Sequence, residues 1–314
     1  MRHVLPFVAL ALTFPAVAQG GTAPFTIVET GQGFAHLSDA LAAAGPRGQF
    51  AQSTILIAPG TYRECAVQSW GKATFKAREP GTVIFDGVAC EGKAALVLRG
   101  SGSVVDGIIF RNIHVGDGNG AGIRTELGDL TVTNSTFLDS QEGILGGQPT
   151  GQRITIDRST FSGLGQCDQT PDCAHSIYLA NKGQITVTRS RFERGRGGHY
   201  VKLRTPRVSI TDNSFDDTQG RKTNYMIDLS EGGTGLIANN VFVQGRNKEN
   251  WTAFITVAAE ARTYSAAGLR VEGNRATLAP GETRSPAFVA DLSHQQLALG
   301  ANVLGKGVRP FEVR

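Results

Sequence analysis

"LTVTNSTF" at residues 130–137 returns as "ITIDRSTF" at 154–161, "ITVTRSRF" at 185–192, "VSITDNSF" at 208–215 and "GLIANNVF" at 235–242. Each copy alternates aliphatic and polar residues, passes a small polar pair and ends on Phe. "SVVDGIIF" at 103–110 is an earlier copy, and "LRVEGNRA" at 269–276 is a later one without the Phe. Successive Phe residues at 110, 137, 161, 192, 215 and 242 lie 23 to 31 apart, a loose but sustained period. A second short strand precedes the copies, aligned on Ile123, Ile144, Ile177, Val201, Ile227, Ile255 and Val289. Two or three short strands per turn of roughly 24 residues, with no helical spacing between them, predict an all-β fold, a parallel β-solenoid. Inside it the Phe column stacks one ring per turn, and Asn134, Asn213, Asn240 and Asn274 form polar ladders at the bends.

The ends fit this plan. "FAHLSDALAAAG" at 34–45 has helical spacing and a Gly stop, suited to an N-terminal capping helix over the open end of the stack. "STILIAPGTYRE" at 53–64 reads as the first coil, and the segment after Gly281 supplies one more around "AFVADL". Ahead of these, Met1-Arg2-His3 leads into an apolar run from Val4 to an Ala16-Val17-Ala18 close, the pattern of a signal peptide over 1–18. The run is shorter than a membrane span and broken by Pro6 and Pro15, so no span is expected. The remainder, 19–314, is then one exported domain, secreted or periplasmic, and four cysteines suit that oxidising setting. Gly at 40 and only 7% aromatic residues agree with short strands and frequent turns.

At "ILIAPGTYRE" and the "VVDGIIFRN" turn at 104–112 the chain resembles right-handed parallel β-helix proteins of the pectate lyase superfamily. The resemblance covers nearly everything after the leader. It implies a single-stranded right-handed parallel β-helix; its activities range over lyases, glycoside hydrolases, esterases, epimerases and non-catalytic proteins. Cys65 and Cys90 lie one coil apart and Cys167 and Cys173 close a small loop, so 65 with 90 and 167 with 173 is the preferred pairing of three. The cysteines lack His or Cys companions at zinc-site spacing, although His175 lies near the second pair.

The net charge of +4 is mild, but Lys182 to Arg207 holds eight Lys or Arg and a single acid, Glu193. Within this run lies "GHYVKLR" at 198–204. Strict alternation with Val201 and Leu203 inside sends Tyr200, Lys202 and Arg204 outside. Aligned strands give one outward column of Arg124, Leu145, Tyr178, Lys202 and Asp228, and an entrance column of Glu142, His175, His199 and Tyr225. Neighbouring coils are about 4.8 Å apart, which sets Tyr178 beside Lys202 and His175 beside His199. Each residue taken alone has a bland reading, as a Lys202–Asp228 surface pair or a strand-end histidine. Together they coincide with the basic run and with the longest loops, 8 to 15 residues between each Phe and the next strand anchor, which would wall a groove. "HSIYLA" at 175–180, "GHYVKLR", "YMIDLSEGG" at 225–233, Asn250 and Glu260 further resemble a group of secreted bacterial β-helix proteins with H-x-I-Y, G-H-x-x-K-x-R and Y-x-x-D-x-x-x-G-G motifs. Leu203 departs from that group's usual small polar residue. The group implies a carbohydrate-active site without naming a substrate.

Cleaving a polyuronate by β-elimination requires a cation for the carboxylate, a base for the C5 proton and an acid for the leaving oxygen. The expectation is a polysaccharide lyase in which Arg204 and Arg124 hold the carboxylate, Lys202 or His199 is the base, and Tyr178, His175 or Tyr225 the acid. Tyr200, Asp228, Glu231, Asn250 and Glu260 complete a substrate-binding set. A glycoside hydrolase drawing its two carboxylates from Asp228, Glu231, Glu142 and Glu260, with Asp216-Asp217 on a loop after a Phe, a uronate epimerase, and a non-catalytic glycan-binding protein using Trp70 or Trp251 are the alternatives. The expected partner is an acidic polysaccharide, with no nucleic acid, because no groove-reading helix or stacking motif is present. A monomer is expected, and no metal or cofactor; the resemblance allows calcium, but no cluster of Asp or Glu indicates it.

Overall fold

The computed structural model describes residues 23–45, 52–147 and 151–314, so the leader expected over 1–18 lies outside them. Three sheets of 12, 10 and 10 strands run the length of the molecule. All strand pairs are parallel except Phe25–Ile27, which pairs antiparallel with Gly33–Phe34 and with Gln52–Ile57. Each repeat octet is divided between two sheets. Asp129–Thr133 belongs to the first and Thr136–Leu138 to the second, and the small polar pair between them is the bend. The helix Leu37–Ala44 turns Leu37, Ala40, Leu41 and Ala44 onto the end of the stack and covers strands that would otherwise be open to pairing.

Inside, Phe85, Phe110, Phe137, Phe161, Phe192, Phe215 and Phe242 form one continuous pile with centroid spacings from 4.7 to 5.8 Å. Where Ala276 follows Phe242, rings from the third sheet take over: Phe254 and Phe288 lie edge-on at 6.3 and 5.8 Å. The bends carry a second ladder. Ser135, Ser159, Ser190, Asn213, Asn240, Asn274 and Asn302 point inward, and each accepts the backbone N–H of the equivalent residue one coil before it, or of Ile108 at the start. These N–H groups are buried and turned out of the sheets, so a side-chain acceptor meets a need that strand pairing cannot.

Asn134 was expected in this ladder and is not part of it. It is the preceding bend residue, exposed with φ +49°, and Ser135 makes the inward contact. Equivalent bend positions Arg158, Arg189, Asp212 and Asn239 share the left-handed backbone, so the polar pair splits into a turning residue and a capping residue. Both disulfides form as expected, Cys65–Cys90 between adjacent coils and Cys167–Cys173 within a loop. No helix among the described residues is long and apolar enough to cross a membrane.

Phe192 sits mid-pile between Phe161 at 4.9 Å and Phe215 at 4.7 Å. Phe192→Ala is expected to lower unfolding free energy by about 3–5 kcal/mol, read from the shift of the urea midpoint.

Candidate functional site

The third sheet breaks strict alternation once per coil. Gly122 and Ile123, Ser176 and Ile177, Tyr200 and Val201, Met226 and Ile227, Phe254 and Ile255 are successive residues that are all buried. A Cβ on Gly122 would strike the Phe110 and Phe137 side chains, which shows that this position faces the core. Two inward residues in a row bring the residues on either side of them, three apart in sequence, to the same outer face. His175 and Tyr178 share that face, and so do His199 and Lys202.

Tyr200 is therefore a correction. Alternation places it outside as a substrate-binding residue, but it is 1% exposed, edge-on to Phe192 and Phe215. Its hydroxyl donates to Asp217 Oδ1 at 2.8 Å and accepts the Gly195 N–H at 3.1 Å. Asp217 also pairs with the fully buried Lys248 ammonium at 3.0 Å, and the Thr223 hydroxyl donates to it at 2.9 Å. This closed polar cluster ties Tyr200 to two neighbouring loops. From sequence Asp217 stands only as a loop carboxylate among the hydrolase candidates, and Lys248 and Thr223 carry no signal, since they lie in loops without periodicity.

On the outer face the register sets Tyr178 opposite Lys202, and Lys202 opposite Asp228. Lys202 Nζ and Arg204 Cζ each lie 5.3 Å from the centre of the Tyr178 ring, close enough for cation–π attraction. Lys202 does not pair with Asp228. Its ammonium meets Glu260 Oε1 at 2.6 Å, and Arg204 binds the other oxygen of Glu260 while its Nε lies 3.6 Å from Glu231. Burial alone would raise Glu260, but its contacts with Lys202 and Arg204 hold it below the usual carboxylate range. Asp228 is buried and takes hydrogen bonds from the Ser230 and Thr256 hydroxyls at 2.6 and 2.7 Å. Burial pushes its pKa up against those bonds. The Asp-x-Ser spacing in "YMIDLSEGG" is the sequence trace of the first contact.

The two histidines touch. His175 Nδ1 accepts the His199 backbone N–H at 3.0 Å and lies 3.3 Å from His199 Nδ1. Accepting there leaves the proton of neutral His175 on Nε2. Gly198 makes this approach feasible: at φ +60°, a Cβ on it would collide with the Ala174 carbonyl and with His175 Nδ1. Burial, followed by the nearby cations, lowers His175 to about 3, and burial likewise holds His199 well below the ordinary imidazole value. Both are neutral at pH 7. His199 Nε2 faces Asp228 Oδ2 at 3.6 Å, and its ring lies 5.8 Å from that of Tyr225. Asn250 donates to the Tyr225 hydroxyl at 2.6 Å. Tyr178, half-buried, is raised by burial and remains protonated.

Glu142 lies in the entrance column one coil before His175. It is buried, and neither carboxylate oxygen has a hydrogen-bond partner among the described residues. Burial pushes its pKa well up, only partly offset by the His175 backbone N–H, which lies near it but outside hydrogen-bond geometry, and by Arg124 and Lys202. Arg124 Nε and Arg204 Nε are likewise buried without a hydrogen bond, so unsatisfied polar atoms gather around this patch. Trp70 stands apart, its indole N–H bonded to the Leu41 carbonyl of the capping helix at 3.1 Å. Trp251 lies under Arg284 at 5.5 Å. Cys167, Cys173 and Glu249 come within metal-ligand range among the described residues, but the two sulfurs are joined and offer no thiolate.

The architecture and its outward polar file define a parallel β-helix protein with its chemistry on one sheet face. Residues 94–276 match the family model described as "Right handed beta helix region", and the chain belongs to that family. No curated protein matches the sequence. Among solved structures, an alginate lyase from Paenibacillus sp. str. FPU-7 superposes with TM-score 0.66 at 15% identity, over 88% of this chain and 96% of that one. ORF18 of Geobacillus virus E2 superposes with TM-score 0.54 at 11% identity, over 88% of this chain and 55% of that one. At these identities the likeness is one of fold.

The neutral histidines set a pH dependence of stability. His175 binds its proton in the unfolded chain below about 6.5 but in the folded chain only near 3. Its contribution is therefore present above pH 6.5 and lost as pH falls toward 3, with a slope of up to about 1.4 kcal/mol per pH unit. His175→Gln is expected to flatten urea midpoints measured between pH 6.5 and 4; an unchanged slope would show that His175 is not buried neutral.

Proposed function

We propose that the protein is a carbohydrate-active enzyme, a lyase that cleaves an acidic, uronate-containing polysaccharide by β-elimination. The observation that carries this reading is the Tyr178, Lys202 and Arg204 cluster, a protonated phenol with two cations at 5.3 Å from its ring. The solved lyase of the same fold, described as acting on alginate, adds support. Glu260 adds a further indication. Its carboxylate bridges Lys202 and Arg204, the kind of anion a uronate would present there.

In this reading Arg204 neutralises the substrate carboxylate and so acidifies the adjacent C5–H, while Arg124, three windings before Lys202, is placed for a neighbouring sugar unit. Lys202, once its ammonium proton has been released to solvent, takes the C5 proton, and the C–H electrons pass into a carboxylate-stabilised enolate. As C4=C5 forms, the C4–O bond breaks and the Tyr178 hydroxyl donates its proton to the departing oxygen. Glu260 stabilises the resulting Lys202 ammonium. His175 and His199, neutral and in mutual contact, serve as a rigid support under Tyr178 and Lys202: the His175 ring lies edge-on to Tyr178 at 5.3 Å. Tyr225, held by Asn250, together with Asp228 and Glu231, borders the sugar site. The hydrolase alternative requires two carboxylates flanking the bond with one able to ionise. Asp228 and Glu142 are buried and raised, while Glu260 and Glu231 are engaged with Arg204.

The test is release of unsaturated uronate, followed in the ultraviolet, from a panel of acidic polysaccharides. Wild type should generate the absorbance, while Lys202→Ala and Tyr178→Phe should each lower kcat by at least about 10²-fold with unfolding midpoints near wild type. The alkaline limb of the pH–rate profile should lie above the ordinary tyrosine range, because burial raises Tyr178. New reducing ends without absorbance would favour hydrolysis, and retained activity in Lys202→Ala would remove that residue from the mechanism.

A further inference from the structure

A second concentration of charge lies upstream of the entrance column, on the loops that lead from the second sheet to the third. A cavity there is lined by Arg194, Arg196, Arg221 and Lys222, with Asp168 as its one carboxylate and Thr218, Gln219, Gly220 and Asn247 completing it. Two cations come from one coil and two from the next. Arg194 and Arg196 share a single oxygen of Asp139 outside the cavity, at 3.2 and 2.6 Å, so two guanidiniums divide one negative charge. Lys222 reaches Asp168, whereas Arg221 is exposed and has no side-chain partner among the described residues.

The loops bearing these groups are held in register. Arg196 N–H donates to the Leu164 carbonyl at 2.6 Å, Arg221 N–H to Gly195 at 2.8 Å and Lys222 N–H to Asn247 Oδ1 at 3.0 Å. Bridges Gly198 to Thr223 and Thr223 to Lys248 continue the parallel stacking into the loops. The Cys167–Cys173 disulfide closes the segment that carries Asp168. The cations are thus presented in a fixed array at the coil spacing of about 4.8 Å, where a concave surface with four cations to one carboxylate concentrates anions. Arg196 precedes His199 by three residues and Lys222 precedes Tyr225 by three, so the array begins on the order of 10 Å from the site on the third sheet.

We propose that this cavity is a distal subsite for an anionic polysaccharide, binding carboxylates of sugar units beyond those at Tyr178 and Lys202. The assignment rests on the polyuronate reading for its ligand and on Arg194, Arg196, Arg221 and Lys222 for its location. Ionic contacts of this kind, formed at a solvent-open rim, weaken as salt screens them.

The experiment uses the full chain carrying Lys202→Ala, so that polymer is not consumed, and titrates it calorimetrically with alginate, polygalacturonate, neutral dextran and a single-stranded DNA oligonucleotide. At least one uronate polymer should bind and dextran should not. Adding Arg221→Gln and Lys222→Gln should weaken that binding about tenfold and reduce its salt sensitivity, with the thermal midpoint unchanged. Unchanged affinity in the added variants, no binding of either uronate polymer, or tighter binding of the DNA would overturn the proposal. The two readings fail separately: wild type that yields no unsaturated uronate, while the added variants still lose polymer affinity, would end the lyase reading and leave the subsite standing.

Discussion

Coil-to-coil register is the constraint on which the rest of the molecule depends. From Phe110 to Phe242 each winding buries one Phe on its predecessor's ring, and from Ser135 onward each lends one Ser or Asn oxygen to a buried N–H of the winding before it. The aromatic pile is tolerant of small shifts along the strand, since apolar burial has little direction. The hydrogen-bond ladder is not tolerant, because a slip of one residue would leave an inward N–H unpaired in every coil. The Phe pile thus supplies most of the burial while the polar ladder fixes the register, and the outer surface inherits that register.

The site follows from this inheritance together with a local departure from it. Side chains distant in sequence become neighbours because corresponding strand positions stack, which is how Tyr178, Lys202 and Asp228 form a file. The paired inward residues on the third sheet then add the histidines. Tyr200 fills the interior beside the Phe pile, and in doing so turns His199 outward next to Lys202. Its hydroxyl is satisfied by Asp217, which a buried Lys248 neutralises, so an expensive set of polar groups is fully paired beneath the imidazoles.

Electrostatically the outer face is divided by depth. The buried layer of His175, His199, Asp228 and Glu142 is pushed toward neutral forms by desolvation. The rim keeps its charges, with Glu260 and Glu231 held against Lys202 and Arg204. A neutral floor beneath a charged rim favours a polar, anionic ligand arriving from solvent, since the rim attracts it and the floor does not repel it.

The periodic Phe, the small polar pairs and the capping-helix pattern were legible in the sequence, because each records a requirement repeated in every coil, and repetition makes a local signal strong. The same periodicity located the Tyr178, Lys202 and Asp228 file, and the cysteine spacing gave the disulfides. The sequence could not assign Asn134 and Ser135 to their separate bend roles, nor show that Tyr200 turns inward. Those outcomes depend on where the backbone departs from strict alternation, which is decided by the space beside Phe192 and Phe215 and by the loop that brings Asp217 to the tyrosine hydroxyl. Likewise only the folded chain brings Glu260, 58 residues downstream of Lys202, onto its ammonium in place of Asp228. Sequence periodicity determines which positions recur; the choice of partner at each position is made by three-dimensional packing and by the need of every buried polar group for a neighbour.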